Sequence, residues 1–155
     1  MHLIELRFAR YLAFAILLAA GAGFAAIDSA PERGRVVVTD TETEILDVVE
    51  FAPGSAMLKP TSFATLDAVA ATLRGNPSIT LVEVQAHSRG VGDATANLDL
   101  TDRRAAVVAA YLENAGVEPA RLTAQGYGDT QPLAGAGSWK NERVAFLILE
   151  RSSDQ

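Results

Sequence analysis

At 155 residues, the chain has room for one domain of ordinary size and a single hydrophobic core once an apolar leader is set aside, which excludes a second catalytic domain. The formal charge is −6, and because Arg7, Arg10 and Glu5 give the first 26 residues +1, the remainder carries −7, a balance that repels polyphosphate and excludes nucleic acid as the expected partner. With no cysteine, the chain is neither a disulfide scaffold nor a thiolate metal site, and no N-terminal cysteine can carry a lipid.

Residues 1–27 read as a leader: a basic flank with Arg7 and Arg10, then an apolar run from Tyr11 to Ile27 broken only by small residues. A run of about 17 residues exceeds the usual signal-peptide core of about 7 to 15 and meets the lower end of the range of about 17 to 25 for a spanning helix. Two outcomes therefore stay open. One is a signal peptide cut near Ala20-Gly21-Ala22 or Gly23-Phe24-Ala25; the other is an uncleaved membrane anchor with Arg7 and Arg10 on the cytoplasmic side. Either places residue 30 onward outside the cytoplasm.

Residues 28–44 form a short connector that offers an edge strand. Arg35 to Thr39 and Ile45 to Phe51 are β-branched runs, with polar Asp40-Thr41-Glu42-Thr43 as a turn between them. Ile45 to Phe51 is expected to be the better core strand. Lys59-Pro60-Thr61 opens a helix whose apolar stripe is Leu66, Val69, Ala70 and Leu73, and Gly75-Asn76-Pro77 stops it. Ile79 to Gln85 alternates with period two and ends at Ala86-His87, a strand. After a glycine-containing turn, Thr101 is expected to cap a helix with the stripe Ala105, Val108 and Leu112, ended by Gly116. Arg121 to Gln125 and Val144 to Leu149 complete the set as strands. The order β-α-β-α-β-β gives a two-layer α/β sandwich over residues 45–150 with helices on one face, followed by a polar tail at 151–155.

The residues around the second helix carry a motif. In order they are His87-Ser88-Arg89, Gly92, Asn97, Leu100-Thr101 and Arg104-Ala105, then Gly126-Tyr127-Gly128, Pro132 and Asn141-Glu142-Arg143-Val144; Phe51 to Ser55 precedes them. This resembles the OmpA-like, peptidoglycan-associated domain family, whose pattern runs Gly-His-Thr-Asp, an Asn five to ten residues on, Leu-Ser-x-x-Arg-Ala, Gly-x-Gly and Asn-Arg-Arg-Val. The resemblance covers about residues 45 to 150. It implies a non-catalytic module of the bacterial cell envelope, periplasmic and either membrane-anchored or associated with the outer membrane. Its partner would be the diaminopimelate side chain of the peptidoglycan stem peptide.

Carried over by position, the resemblance gives Arg104 to the ligand's carboxylate, which suits a guanidinium fork placed in a helix's first turn. Asn97 takes peptide hydrogen bonds, Leu100 and Thr101 accompany it, and Ser88 keeps the hydroxyl of the family threonine. Arg89 stands where the family has the aspartate that receives the ligand's ammonium. Its readings are an exposed neutral change, a pair with Asp93 or Asp99, or a contact to an anionic ligand. Asp93 and Asp99 in the turn and Asp102 at the helix start are the candidate substitute carboxylates, and if Arg89 is the obstacle to binding, Arg89→Asp is expected to raise it. Glu142 also departs from the pattern, replacing the first arginine of Asn-Arg-Arg-Val.

The alternative is a structural or protein-interaction module that keeps the fold but has lost diaminopimelate binding, engaging an envelope protein instead. His87 has no nucleophile elbow and no second histidine outside the leader, so neither catalysis nor a metal site is expected, nor any cofactor. Trp139 reads as a half-buried loop anchor ahead of a partner contact. A flagellar stator-like protein, which shares such a domain, is disfavoured by an apolar run without a central carboxylate.

Overall fold

The structure, a computed structural model, describes residues 36–38, 42–45 and 49–152. The leader, most of the connector and the last three residues of the tail lie outside them, so the expectations placed there do too. In chain order the elements are β1 (Val36–Val38), β2 (Glu42–Ile45), α1 (Phe63–Gly75), β3 (Ile79–His87), α2 (Ala94–Asn114), β4 (Leu122–Gly128) and β5 (Arg143–Arg151).

α1 follows a 3-10 turn at Pro60–Ser62, where proline's fixed φ and missing N–H cost nothing. Leu66, Val69, Ala70 and Leu73 are all buried, as their spacing predicts. They meet Ala105, Val108 and Leu112 of α2 in one core with Val82, Val84 and Ala86 of β3 and Phe146 of β5. The sheet order is β1-β2-β5-β3-β4. Within it β3 lies between antiparallel β5, with Val84 opposite Phe146, and parallel β4, with Val84 opposite Ala124. The two-layer α/β sandwich expected from the sequence is the fold observed.

Two boundaries differ from expectation. β2 is Glu42–Ile45, paired with β5 through Glu42↔Leu147 and Thr43↔Phe146, so part of the expected turn is strand. Within the β-branched run that follows, Phe51 makes only an isolated bridge to Leu58, because the chain doubles back there: the Ala52 N–H donates to the Met57 carbonyl at 2.8 Å. The second difference matters more to the site. α2 starts at Ala94, with the Asp93 carboxylate accepting from the Ala96 N–H at 2.8 Å as its N-cap. Thr101, expected as the cap, lies two turns inside the helix and is fully buried. Asp102 and Arg104 are therefore not in a first turn, and Arg104 draws nothing from the positive helix terminus, whose influence fades within one turn.

Mid-helix Thr101 and Asp102 instead rivet α2 to β4. The Asp102 carboxylate accepts from the Gly126 N–H at 2.8 Å, and the Thr101 hydroxyl accepts from the Gly128 N–H at 3.0 Å while donating to the Asn97 and Leu98 carbonyls. The approach is close enough that a Cβ on Gly126 would stand 2.2 Å from the Asp102 backbone nitrogen. The Gly-x-Gly spacing is thus a consequence of helix-on-strand contact.

Candidate functional site

At one end of the sandwich a cleft of about 350 Å³ opens between the segment from Val49 to Lys59, the end of β3, the middle of α2 and the loop leading to β5. Each wall is tied down locally. Glu50 N–H donates to the Ser62 hydroxyl at 2.7 Å, fixing the Val49–Phe51 segment against the start of α1. The opposite wall hangs on Asn141, which is 2% exposed. Its amide oxygen accepts from the Leu133 and Ala134 N–H groups, and its amide nitrogen donates to the Ala134 and Gly135 carbonyls. This buried asparagine shapes the 133–141 loop and so sets where the next residue, Glu142, points.

Arg104 lies at the bottom of the cleft, 4% exposed. Its Nε donates to the Ser55 carbonyl at 3.0 Å, its guanidinium lies 4.7 Å over the Phe51 ring, and Nη1 meets Glu142 Oε1 at 2.9 Å. A guanidinium stacked on a ring and held at Nε has lost most of its rotational freedom, so its remaining N–H groups are fixed in space for a carboxylate. Glu142 Oε2 reaches across to Arg89 Nε at 2.8 Å. One carboxylate therefore bridges two guanidiniums, and it is open to solvent at its edge, with a side-chain exposure of 38%.

The cleft is lined by the cations Lys59, Arg89, Arg104 and Arg143 and by the carboxylates Glu50 and Glu142. Glu50 is turned toward Thr61, whose hydroxyl donates to it at 2.8 Å, and toward Lys59 at 3.6 Å. That hydrogen bond first and the Lys59 charge second hold its carboxyl below the ordinary range. The balance of the lining is cationic, so the cleft attracts an anionic group.

His87 is 2% exposed, its ring stacked on Tyr127 at 5.2 Å, and neither ring nitrogen nor the buried Ser88 hydroxyl has a protein partner. Burial, and then the Arg143 charge, depress the His87 pKa from 6.5 to about 4. The unfolded chain takes up that proton first as pH falls, so stability is lost between about pH 6.5 and 4, on the order of 3 kcal/mol in all. Urea midpoints of the wild type are expected to drop across this window by more than those of His87→Phe; parallel drops would remove His87 as the cause.

Of the positions singled out in the sequence, Arg89 and Arg104 line the cleft and Ser88 lies buried next to it. Asn97, Leu100 and Thr101 do not line it. The Asn97 amide donates to the Val91 carbonyl at 3.1 Å, closing the turn ahead of α2. The three substitute aspartates are engaged elsewhere: Asp93 at the N-cap, Asp99 with Arg103 at 2.7 Å, and Asp102 with Gly126. Arg89, two residues past the end of β3, pairs with Glu142 in place of Asp93 or Asp99, and its carbonyl accepts from the Gly137 N–H of the 133–141 loop. Trp139 is no loop anchor; it is 69% exposed at the rim of the cleft. In the sequence Glu142 stands only as a departure from the motif, although two charge reversals in one motif are the pattern that a swapped ion pair leaves.

The OmpA family pattern matches residues 50–145. Outer membrane protein P5 of Haemophilus influenzae is 36% identical over 116 residues, which is 75% of this chain and 31% of that protein. Among solved structures, the cell wall anchor of the T6SS from Pseudomonas aeruginosa superposes with a TM-score of 0.63 at 27% identity, over 77% of this chain and 89% of that one. A MotB-like protein from Desulfovibrio vulgaris superposes with a TM-score of 0.59 at 30% identity, over 69% and 70%. The chain spans between 9% and 56% of the length of the curated relatives it matches.

Proposed function

This chain belongs to the OmpA family, and from that premise we propose that its domain is a non-catalytic module of the bacterial cell envelope that grips the peptidoglycan stem peptide in the Arg104 cleft. The observation that carries the reading is the setting of Arg104: a buried guanidinium, fixed by Ser55 and Phe51, that already holds a carboxylate at 2.9 Å. A stem-peptide carboxylate presents the same group to the same fork. Structural kinship with the cell wall anchor of the Pseudomonas secretion system supports the same assignment.

Co-sedimentation of the full chain with purified sacculi tests it. The protein pellets with the sacculi, and millimolar free diaminopimelate returns it to the supernatant. A protein that stays in the supernatant at low salt overturns the reading. That outcome would favour the second one, a protein-interaction module, for which the exposed Val91, Leu133 and Trp139 supply apolar surface.

A further inference from the structure

The ligand of the proposed clamp carries an ammonium beside its carboxylate, and the ammonium needs a partner. Glu50 is committed to Thr61 and Lys59, and the aspartates of the α2 region are bonded to a helix end, to Arg103 and to β4. Glu142 is the one among them that touches Arg104; like Glu50 it lines the cleft and keeps a solvent-facing edge.

Resting on the stem-peptide reading above, we propose that Glu142 is the ammonium acceptor of this cleft and that Arg89 is the positioning residue that holds it there. Arg104 and Glu142 present a positive and a negative group side by side at 2.9 Å. An ammonium and a carboxylate on one carbon form the complementary pair, so the bound state is a square of alternating charges in which every edge is attractive. Arg89 closes the far side of Glu142 at 2.8 Å, which keeps the carboxylate from following the ligand or rotating to solvent. The two charge reversals of the motif then have one cause. Arg89 and Glu142 touch, so reversing either alone sets like charges face to face, while reversing both preserves the pair and its net charge. The carboxylate has moved from the strand-end wall to the loop wall, and the clamp keeps its zwitterion specificity with the polarity of its walls exchanged.

This replaces the expectation that Arg89→Asp alone raises binding, since the new carboxylate would face Glu142. The test uses full-length variants, with folding checked by thermal melts, against native sacculi and against sacculi whose free amines have been acetylated. Wild type binds acetylated sacculi about tenfold or more weakly, since each lost charge-assisted contact of this kind is worth about that factor. Glu142→Gln binds native sacculi weakly and no longer distinguishes the two preparations. Arg89→Asp is weak, and Arg89→Asp combined with Glu142→Arg recovers most of the wild-type binding. Glu142→Gln binding native sacculi like wild type, or a double variant no better than Arg89→Asp, overturns the proposal while leaving the stem-peptide reading in place. A wild type that ignores both preparations overturns the two together.

Discussion

Arg104→Ala is expected to lower sacculus binding by about a hundredfold or more and to destabilise the fold by about 2–4 kcal/mol. The two effects share one origin. The guanidinium is nearly inaccessible, so its removal leaves the Ser55 carbonyl without its donor, the Phe51 face without its cation and Glu142 with Arg89 alone. A hydrogen bond to a charged group contributes about 1.5–3 kcal/mol and an ordered cation–π contact about 0.5–2 kcal/mol, and not all of this is lost if water enters. Arg104→Lys separates binding from folding. It keeps the charge but loses the planar fork and the Nε bond, so it should fold better than Arg104→Ala and still bind poorly. Calorimetric melts and pelleting on the same preparations check both effects; wild-type pelleting by Arg104→Ala would remove the arginine from the site.

Gly126→Ala is expected to be the most damaging single methyl in the domain. The added carbon would stand 2.2 Å from the Asp102 nitrogen and 2.6 Å from the Thr101 carbonyl carbon, both of them helix backbone that cannot rotate away. α2 must retreat from β4. That breaks the bonds that the Gly126 N–H donates to Asp102 and the Gly128 N–H donates to Thr101, and opens the core behind Ala105 and Val108. Overpacking with lost buried hydrogen bonds costs about 3 kcal/mol or more, or a melting temperature lower by roughly 10–20 °C for a domain of this size. Gly135→Ala is the control, since a Cβ there meets nothing within 4 Å, and it should melt with the wild type. Equal melting of Gly126→Ala would show that α2 and β4 do not approach as described.

The same contact marks how far the sequence could be read. Elements whose pattern is local were legible: the stripe of α1, the alternation of β3, and Gly116, which takes φ of +92° beyond the end of α2. The start of α2 was not, because Gly90, Gly92, Asn97 and Asp99 weaken helix propensity over the stretch that becomes its approach and first turns. What fixes the helix there is the Asp93 cap together with the bonds of Thr101 and Asp102 to β4, a strand more than twenty residues away. At the ends of the Ile45–Phe51 run, Ile45 closes β2, the strand that β5 pairs with, and Phe51 makes an isolated bridge to Leu58. Within the site, the residue types at Arg89 and Arg104 were visible, but Glu142 is joined to them only by the fold. A pair contact between a strand end and a distant loop leaves no periodicity, so the sequence shows the reversals at 89 and 142 as separate departures although their side chains meet.

Recognition of a carboxylate beside an ammonium by the Arg104 cleft is tested, without any wall preparation, by titrating the isotope-labelled full chain with free diaminopimelate and following backbone and arginine side-chain resonances by NMR. Saturable shifts centred on Arg89, Arg104 and Asn141–Glu142, absent from Arg104→Lys, are the predicted result. Unchanged resonances at those residues at millimolar ligand would contradict it.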